Sequence, residues 1–288
     1  MAVVKKTKAS DLQALCKKLI TLLKKHYKPH GGKKDRPVLE SMLYAVCLEN
    51  ATHAQADAAY ERLHSTFHDL NEIRVSTFLE LTPVFEDMSD PEARAARVRS
   101  ILQYVFEINF DFDFESLKKK TIDLAEKQLQ KIRFLTPFIE LYTLQIALGT
   151  HMIPLDDRMR DACVWLGLAV PGASITAAAD GLKAAILKSD TPVFCQYLRD
   201  FATDPRLQSQ FNPTKHKALA DGHDLDNMLE RAEELIINAE KAAKAKSKPK
   251  KAAASKASSK SSGHKLGTKR VAVKNLSKAG PAKKKKPR

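Results

Sequence analysis

Residues 132 to 168, IRFLTPFIELYTLQIALGTHMIPLDDRMRDACVWLGL, contain two helices whose starts and ends can be read directly from the sequence. Thr136 can cap the first helix, Pro137 suits its first position, and Gly149 follows its end. Few polar residues interrupt its apolar side chains, so the pattern predicts a helix buried in the centre of the fold. Asp156 can cap a second helix, which has its own apolar face and also ends at a glycine.

Helical periodicity extends in both directions from this block. Apolar residues recur at helical spacing in several further stretches, namely residues 37–46, 96–106, 117–132, 191–201 and 224–244. Alternation of the kind seen in β-strands is almost absent. About 200 residues lie between the two basic ends, enough for one good core or two small lobes. We therefore predict an all-α body with either of these arrangements.

Charge divides the chain into an acidic body and two basic ends. Residues 1–36 hold 11 Lys or Arg against two Asp, and residues 241–288 hold 18 Lys or Arg and no acidic residue. The residues between them carry a net charge of about −12, although the whole chain carries +15. We predict a partly helical basic leader over 1–36, a helical domain over 37–210, an amphipathic C-terminal helix region over 211–240 and a disordered basic tail over 241–288.

The composition of the tail points to a polyanionic partner. It consists mainly of Lys, Ala, Ser and Pro without aromatic residues, so it cannot bury enough apolar surface to become ordered. Its dispersed cations suit phosphate contacts that do not read bases. They include Lys248, Lys250, Lys251, Lys283, Lys284, Lys285 and Lys286. We predict sequence-independent binding to duplex DNA, with RNA as an alternative. A solubilising or nuclear-import extension is the other interpretation.

The sequence also bears on compartment and cofactors. It has no run of 18 apolar residues and no apolar stretch of a secretion signal, and the tail lacks an apolar face for a membrane. We therefore predict an intracellular protein without membrane contact, in the nucleoid or cytoplasm of a bacterium or the nucleus of a eukaryote. The four cysteines stand singly, which favours core thiols over a disulfide, zinc or a cluster, and no cofactor is predicted.

One group of titratable residues has spacing that could suit a metal. Asp57, Glu61, His64 and His68 fall on a single helical face, and Glu-x-x-His is the unit of di-metal bundles. Such sites need a second copy from a facing helix, and the unit occurs only once. We predict a solvated face and no metal site.

The block 132–168 resembles the helix-hairpin-helix DNA glycosylases of the endonuclease III superfamily. In that family a Gly-rich hairpin opens a buried helix, and the catalytic Asp follows in a turn one helix later; the resemblance places Asp156 there. Residues 48–52, LENAT, are similar to the family's L-S-Q-N-T turn, whose third position enters the DNA and is Asn50 here. The resemblance covers residues 37–205 and implies the family's fold, an all-α two-lobed helical bundle, and a role on DNA.

The sequence departs from the family in three places. The family's hairpin reads L-P-G-V-G, and its glycines let backbone N–H groups approach a phosphate, but residues 132–136, IRFLT, contain no glycine. Phe138 occupies the position of the Schiff-base Lys of bifunctional members, which excludes abasic-lyase chemistry through that residue. No cysteine follows Cys195, so the iron–sulfur loop of some members is missing.

The resemblance leaves open a monofunctional reaction. In it one carboxylate, Asp156, would stabilise a sugar oxocarbenium ion and activate water. The alternative is that Asp156 only caps its helix. Basic residues near the hairpin could likewise hold a phosphate at the start of the following helix or form a plain exposed face. The candidate DNA-binding set, besides Asn50 and the tail, is Lys118, Lys119, Lys120, Lys131, Arg133 and Thr136.

Two hypotheses follow from these observations. The first is a DNA-binding protein related to base-excision-repair glycosylases, weakened or non-catalytic, and tethered to DNA by its basic tail. The second is a monofunctional DNA N-glycosylase that acts on a damaged base with Asp156 as its catalytic carboxylate. Fold alone cannot decide between them.

Overall fold

The computed structural model describes residues 9–30, 36–211, 225 and 227–247, and these residues form twelve α-helices and no β-strand. The helices are α1 Ala9–His26, α2 Val38–Leu48, α3 His53–Thr66, α4 Leu70–Val75, α5 Phe78–Leu81, α6 Pro91–Asn109, α7 Ile122–Leu129, α8 Pro137–Leu148, α9 Asp157–Leu166, α10 Ile175–Lys183, α11 Thr191–Thr203 and α12 Met228–Ser247. Short 3₁₀ turns lie at Thr82–Phe85, Glu115–Lys119 and Gln208–Gln210. The predicted all-α class is confirmed.

The first lobe consists of α2 to α8 around one hydrophobic core. Its central element is α2, which buries all but one of its residues and packs against α3, α6 and α8. The helix begins after Pro37, whose backbone φ of −50° leads into it without strain. A helix that is apolar on nearly all sides must be surrounded by other helices to be buried, and these three neighbours surround α2.

The second lobe consists of α1 and α9 to α12 around a separate core. Cys16, Leu19 and Leu23 of α1 are buried in it, and α1 packs against both α11 and α12. His26 of α1 also lies 3.2 Å from the Glu240 carboxylate of α12. The predicted two-lobed bundle is confirmed, and the helical part of the basic leader is an integral part of its second lobe.

The helix α8 connects the two lobes. The Thr136 hydroxyl accepts a hydrogen bond from the Ile139 N–H at 3.4 Å, and Gly149 ends the helix with a φ of 59°. Phe138 and Leu144 belong to the first core, whereas Leu141 packs against the second. The start and end signals read from the sequence therefore place α8 correctly.

Two elements differ from the prediction. The helix expected over residues 117–132 is divided into the 3₁₀ turn Glu115–Lys119 and α7, which begins after Thr121. Three consecutive lysines would face the positive end of the helix dipole there, so α7 begins beyond them with Asp123 in its first turn. The last helix continues to Ser247, past the boundary expected at residue 240. The predicted disordered tail from residue 248 onward lies outside the described residues.

Candidate functional site

Asp156 lies at the start of α9 and its carboxylate is enclosed by hydrogen-bond donors. One oxygen accepts from the Met159 N–H at 2.9 Å, which is the helix cap expected from the sequence. The other oxygen accepts from the Asn50 N–H at 2.9 Å and from the Arg199 guanidinium at 2.6 Å. The side chain has 0% exposure, so no oxygen of this carboxylate faces solvent.

Two buried arginines hold the turn that follows α2. Arg199 on α11 donates to the Leu48 carbonyl at 2.7 Å and to the Ala51 carbonyl at 3.3 Å. Arg94 on α6 donates to the Glu49 carbonyl at 2.5 Å. Arg199 is only 3% exposed, and Asp156 supplies the negative charge that its burial requires. The guanidinium therefore joins the turn of the first lobe to the start of α9 in the second.

Asn50 occupies the centre of this turn with a φ of 53°. Its side-chain oxygen accepts a hydrogen bond from the Arg158 N–H at 3.2 Å, and its amide nitrogen lies 3.5 Å from an Asp157 oxygen. Asn50 thus caps α9 together with Asp156. The structure brings the two predicted site residues into direct contact across more than a hundred residues of sequence, with the Asn50 side chain folded back on the helix.

The hairpin between α7 and α8, residues 130–136, keeps a turn that normally needs glycine. Phe134 has a φ of 62° and stands where the resemblance places the first hairpin glycine. Ile132 is buried in the first core, whereas Lys131 and Arg133 are exposed. The sequence showed that the hairpin lacks glycine, but it did not predict that Phe134 would adopt the left-handed conformation.

The other predicted basic residues are scattered. Lys118 lies 2.6 Å from Glu115 in the 3₁₀ turn, Lys119 is exposed, and Lys120 is half-buried. The tail residues Lys248, Lys250, Lys251 and Lys283 to Lys286 lie outside the described residues.

A cavity of about 460 Å³ lies between the lobes beside this region. Its lining mixes aliphatic and polar side chains with a set of rings and cations, namely His30, Arg36, Tyr44, His53, Lys118, Phe138, Tyr142 and Arg199. Arg36 stacks over the Tyr44 ring with 3.8 Å between its guanidinium carbon and the ring centroid. The rings of His30 and His53 stack with their centroids 4.3 Å apart. Such a lining suits a planar ligand.

No family model matches the chain, and no curated protein matches its sequence. Solved structures do match its fold, among them two of endonuclease III with DNA. One is a trapped endonuclease III–DNA covalent intermediate, with 13% sequence identity and a TM-score of 0.51. The other is a non-covalent endonuclease III–DNA complex, with 15% sequence identity and a TM-score of 0.51. Each match covers 68% of this chain and 86% of the other chain.

The fold is that of endonuclease III. The match establishes the helix-hairpin-helix DNA glycosylase-like architecture that the block 132–168 indicated. Within this fold the hairpin, the turn at Asn50 and the start of α9 lie together. Thr136, at the end of the hairpin, forms a side-chain hydrogen bond with Glu49, the residue before Asn50. Burial raises the pKa of the Glu49 carboxyl group, whereas the positive charge of Arg97 and the hydrogen bond with Thr136 lower it.

Within the described part of this glycosylase-like fold, no three His, Cys, Asp or Glu side chains are grouped so as to hold a metal. His64 lies 3.1 Å from the Glu40 carboxylate, and Asp57 accepts from the Tyr44 hydroxyl at 2.9 Å. All four cysteines are buried free thiols. None of the described helices has the length and apolar character needed to cross a membrane.

Sequence reasoning missed a buried pair of titratable groups in this helix-hairpin-helix fold. The closest approach of His53 and Asp200 is 3.9 Å, from Nε2 to Oδ1. Burial, assisted by Arg199, lowers the pKa of His53 to about 3. Burial raises the pKa of Asp200 to about 6, although Arg199 opposes the rise. His53 is therefore neutral and Asp200 charged at neutral pH.

These pKa shifts predict opposing effects of pH on stability. Below pH 6.5 the unfolded chain protonates His53 but the folded chain does not, so this group destabilises the fold as the pH falls towards 3. Between pH 6 and 4 the folded chain protonates Asp200 first, which stabilises the fold. We expect His53→Gln to gain stability relative to the natural chain by about 1 kcal/mol per pH unit as the pH falls from 6 to 4.

Urea unfolding at several pH values measures this difference. Asp200→Asn is the matched control, since it should lose stability relative to the natural chain over the same interval. Differences that stay constant with pH in both variants would contradict the assignment.

Proposed function

We propose that this chain is a non-catalytic DNA-binding relative of the base-excision-repair glycosylases, held on DNA by its basic tail. The burial of Asp156 carries the proposal. A carboxylate that stabilises an oxocarbenium ion and activates water must face the sugar. Here both oxygens accept hydrogen bonds from the chain itself, and Arg199 takes up the negative charge.

The residue at the Schiff-base position supports the same proposal. Phe138 is fully buried and its ring lies 4.8 Å from the Arg199 guanidinium carbon. A benzyl side chain offers no nucleophile. The resemblance places the family's reactive groups at Asp156 and Phe138. In this chain both side chains are instead buried in contacts with Arg199.

DNA binding is supported by charge and by fold. Residues 248–288 hold 15 Lys or Arg and no acidic residue, which suits a phosphate backbone. One of the matched structures is a non-covalent endonuclease III–DNA complex. For this chain we propose duplex DNA as the partner, with RNA as the alternative if binding shows no preference for the duplex.

A base-release assay tests the proposal. We expect the full chain to bind duplexes that contain uracil, alkylated or oxidised bases without releasing a base above the level of a heat-inactivated sample. Asp156→Asn, checked for folding by circular dichroism, should give the same background. Base release by the natural chain that the folded variant lacks would overturn the proposal in favour of an enzyme.

The cavity favours the second candidate function, a monofunctional N-glycosylase. Its volume of about 460 Å³ lies within the range typical of small-ligand sites, and the rings in its lining could hold an extruded base. In that case Asp156 would have to leave Arg199 before it could reach a sugar. The same assay decides, because only this candidate predicts free base.

A further inference from the structure

Phe134 projects from the hairpin with most of its side chain exposed and its backbone in a strained conformation. The side chain is 60% exposed, and its backbone φ of 62° lies in the left-handed region that costs a residue with a side chain free energy. Glycine would form the same turn without strain and without an exposed phenyl ring. Strain and exposure together mark this ring as a candidate for binding, and its surroundings decide what it could bind.

The hairpin that carries this ring is anchored to the first lobe by the residues on either side. Ile132 and Leu135 pack against the first core, and the Ile132 N–H donates to the Leu129 carbonyl at 2.9 Å. Arg133 and Phe134, between those anchors, are both exposed. The two outer residues of this segment thus face the lobe, and the two between them face outward.

The surroundings of the ring are cationic. Residues 127–139 include the exposed cations Lys127, Lys131 and Arg133 and no acidic residue. Glu126 and Glu140 border this stretch, and Glu140 accepts a hydrogen bond from the Gln130 side chain at 3.1 Å. The Arg133 guanidinium carbon lies 5.4 Å from the Phe134 ring centroid. An exposed aromatic ring among cations is the combination that binds nucleic acid by stacking on a base while the cations contact neighbouring phosphates.

A second exposed phenylalanine shows that the charge is the distinguishing feature. Phe110, at the end of α6, is 82% exposed and has a φ of 53°. Its neighbours in sequence are acidic, with Asp111 next to it and Asp113 close behind. Phe110 therefore shares the backbone conformation and the exposed ring of Phe134 but would repel a phosphate backbone.

We propose that the hairpin is a base-stacking tip, on which Phe134 stacks against an unpaired base of a distorted DNA duplex while Lys131 and Arg133 contact the flanking phosphates. The preference for an unpaired base follows from energetics, because stacking on a free base requires no separation of stacked neighbours, whereas insertion into an intact duplex does. This inference rests on the proposed DNA-binding function and names the DNA structure that the hairpin selects.

The test compares the full-length natural chain with single variants on two duplexes. One duplex is intact, and the other carries a single unpaired 2-aminopurine, whose fluorescence falls when an aromatic ring stacks on it. Salt is kept near 200 mM, where phosphate contacts of the tail contribute least. Phe134→Ala should weaken binding to the bulged duplex about 5- to 100-fold and abolish the fluorescence change. Binding to the intact duplex should change less than about twofold.

Three matched variants keep the test falsifiable. Phe134→Gly relieves the strained backbone and should lose the stacking signal as Phe134→Ala does, so that misfolding cannot explain the loss. Phe134→Tyr should keep the signal, and Phe110→Ala should behave as the natural chain does. Equal binding of the bulged duplex by the natural chain and Phe134→Ala, or an equal loss on both duplexes, would overturn the proposal. Absence of binding to either duplex by every chain, at low salt as well, would instead reject the proposed DNA-binding function.

Discussion

Replacing Asp156 with alanine is expected to lower the free energy of unfolding by about 3 to 5 kcal/mol, because the substitution leaves the buried Arg199 guanidinium without a counter-charge. The Asn50 and Met159 N–H groups would lose their acceptor as well. For a body of this size the melting temperature should fall by roughly 6 to 20 °C. Thermal unfolding followed by circular dichroism measures the shift.

The neighbouring Asp157 provides the control. Its carboxylate is exposed and pairs with Arg160 at 2.9 Å, so Asp157→Ala should change stability by less than about 1 kcal/mol. A double-mutant cycle sharpens the test. Asp156→Asn and Arg199→Met should together cost less than the sum of the two single variants, by about 1 to 3 kcal/mol. Additive effects, or an Asp156→Ala variant as stable as the natural chain, would refute the role assigned to this ion pair.

Ending the chain after Ser247 is expected to remove most of its salt-sensitive affinity for DNA. The shortened chain keeps α12 whole but loses 15 Lys or Arg. The whole chain carries a formal net charge of +15, so the part that ends at Ser247 has a formal net charge of zero. If the tail neutralises about 6 to 10 phosphates, the slope of log affinity against log salt should become shallower by roughly 5 to 9.

Fluorescence anisotropy with a short duplex at several salt concentrations measures that slope. A chain whose tail has the same composition in shuffled order should bind as the natural chain does, since phosphate contacts need charge and no particular sequence. The helical circular dichroism of the shortened chain should be unchanged per folded residue. Affinity that survives the truncation with its full salt dependence would place the main DNA contact in the folded lobes instead.

The parts of the fold that sequence reasoning predicted correctly depend on local signals. The helix α8 carries its cap at Thr136, its proline at the first position and its glycine at the end. Asp156 likewise caps α9 from within the same stretch of chain. Such signals act over one helical turn, so they can be recognised without knowing what packs against the helix.

The site itself depends on contacts between distant residues, which no local pattern reveals. Asp156 meets Asn50 and Arg199, and His53 meets Asp200, only after the lobes have formed. Arg199 falls among the apolar residues of α11, and a buried charge there could have indicated a buried partner. The left-handed Phe134 was missed for a different reason, because residues with side chains rarely adopt that conformation.

The basic leader was predicted to be partly helical, but the packing of its helix in the second lobe was not foreseen because its average charge concealed its pattern. Lys and Arg dominate residues 1–36, yet Cys16, Leu19, Ile20 and Leu23 follow the i, i+3, i+4, i+7 spacing of a helix with one apolar face. All four are buried in the second core. Periodicity along this segment would have identified α1 as part of the folded body.

The position of α1 also determines the order in which the two lobes can form on the ribosome. The core of the first lobe uses only α2 to α8, which are contiguous in the chain, so it can form while synthesis is still in progress. The second core joins α1, made before the first lobe, to α12, made after it, through residues such as Leu23 and Ile236. The helix α1 must therefore wait, with its apolar face uncovered, until the first lobe and the helices that follow it have emerged.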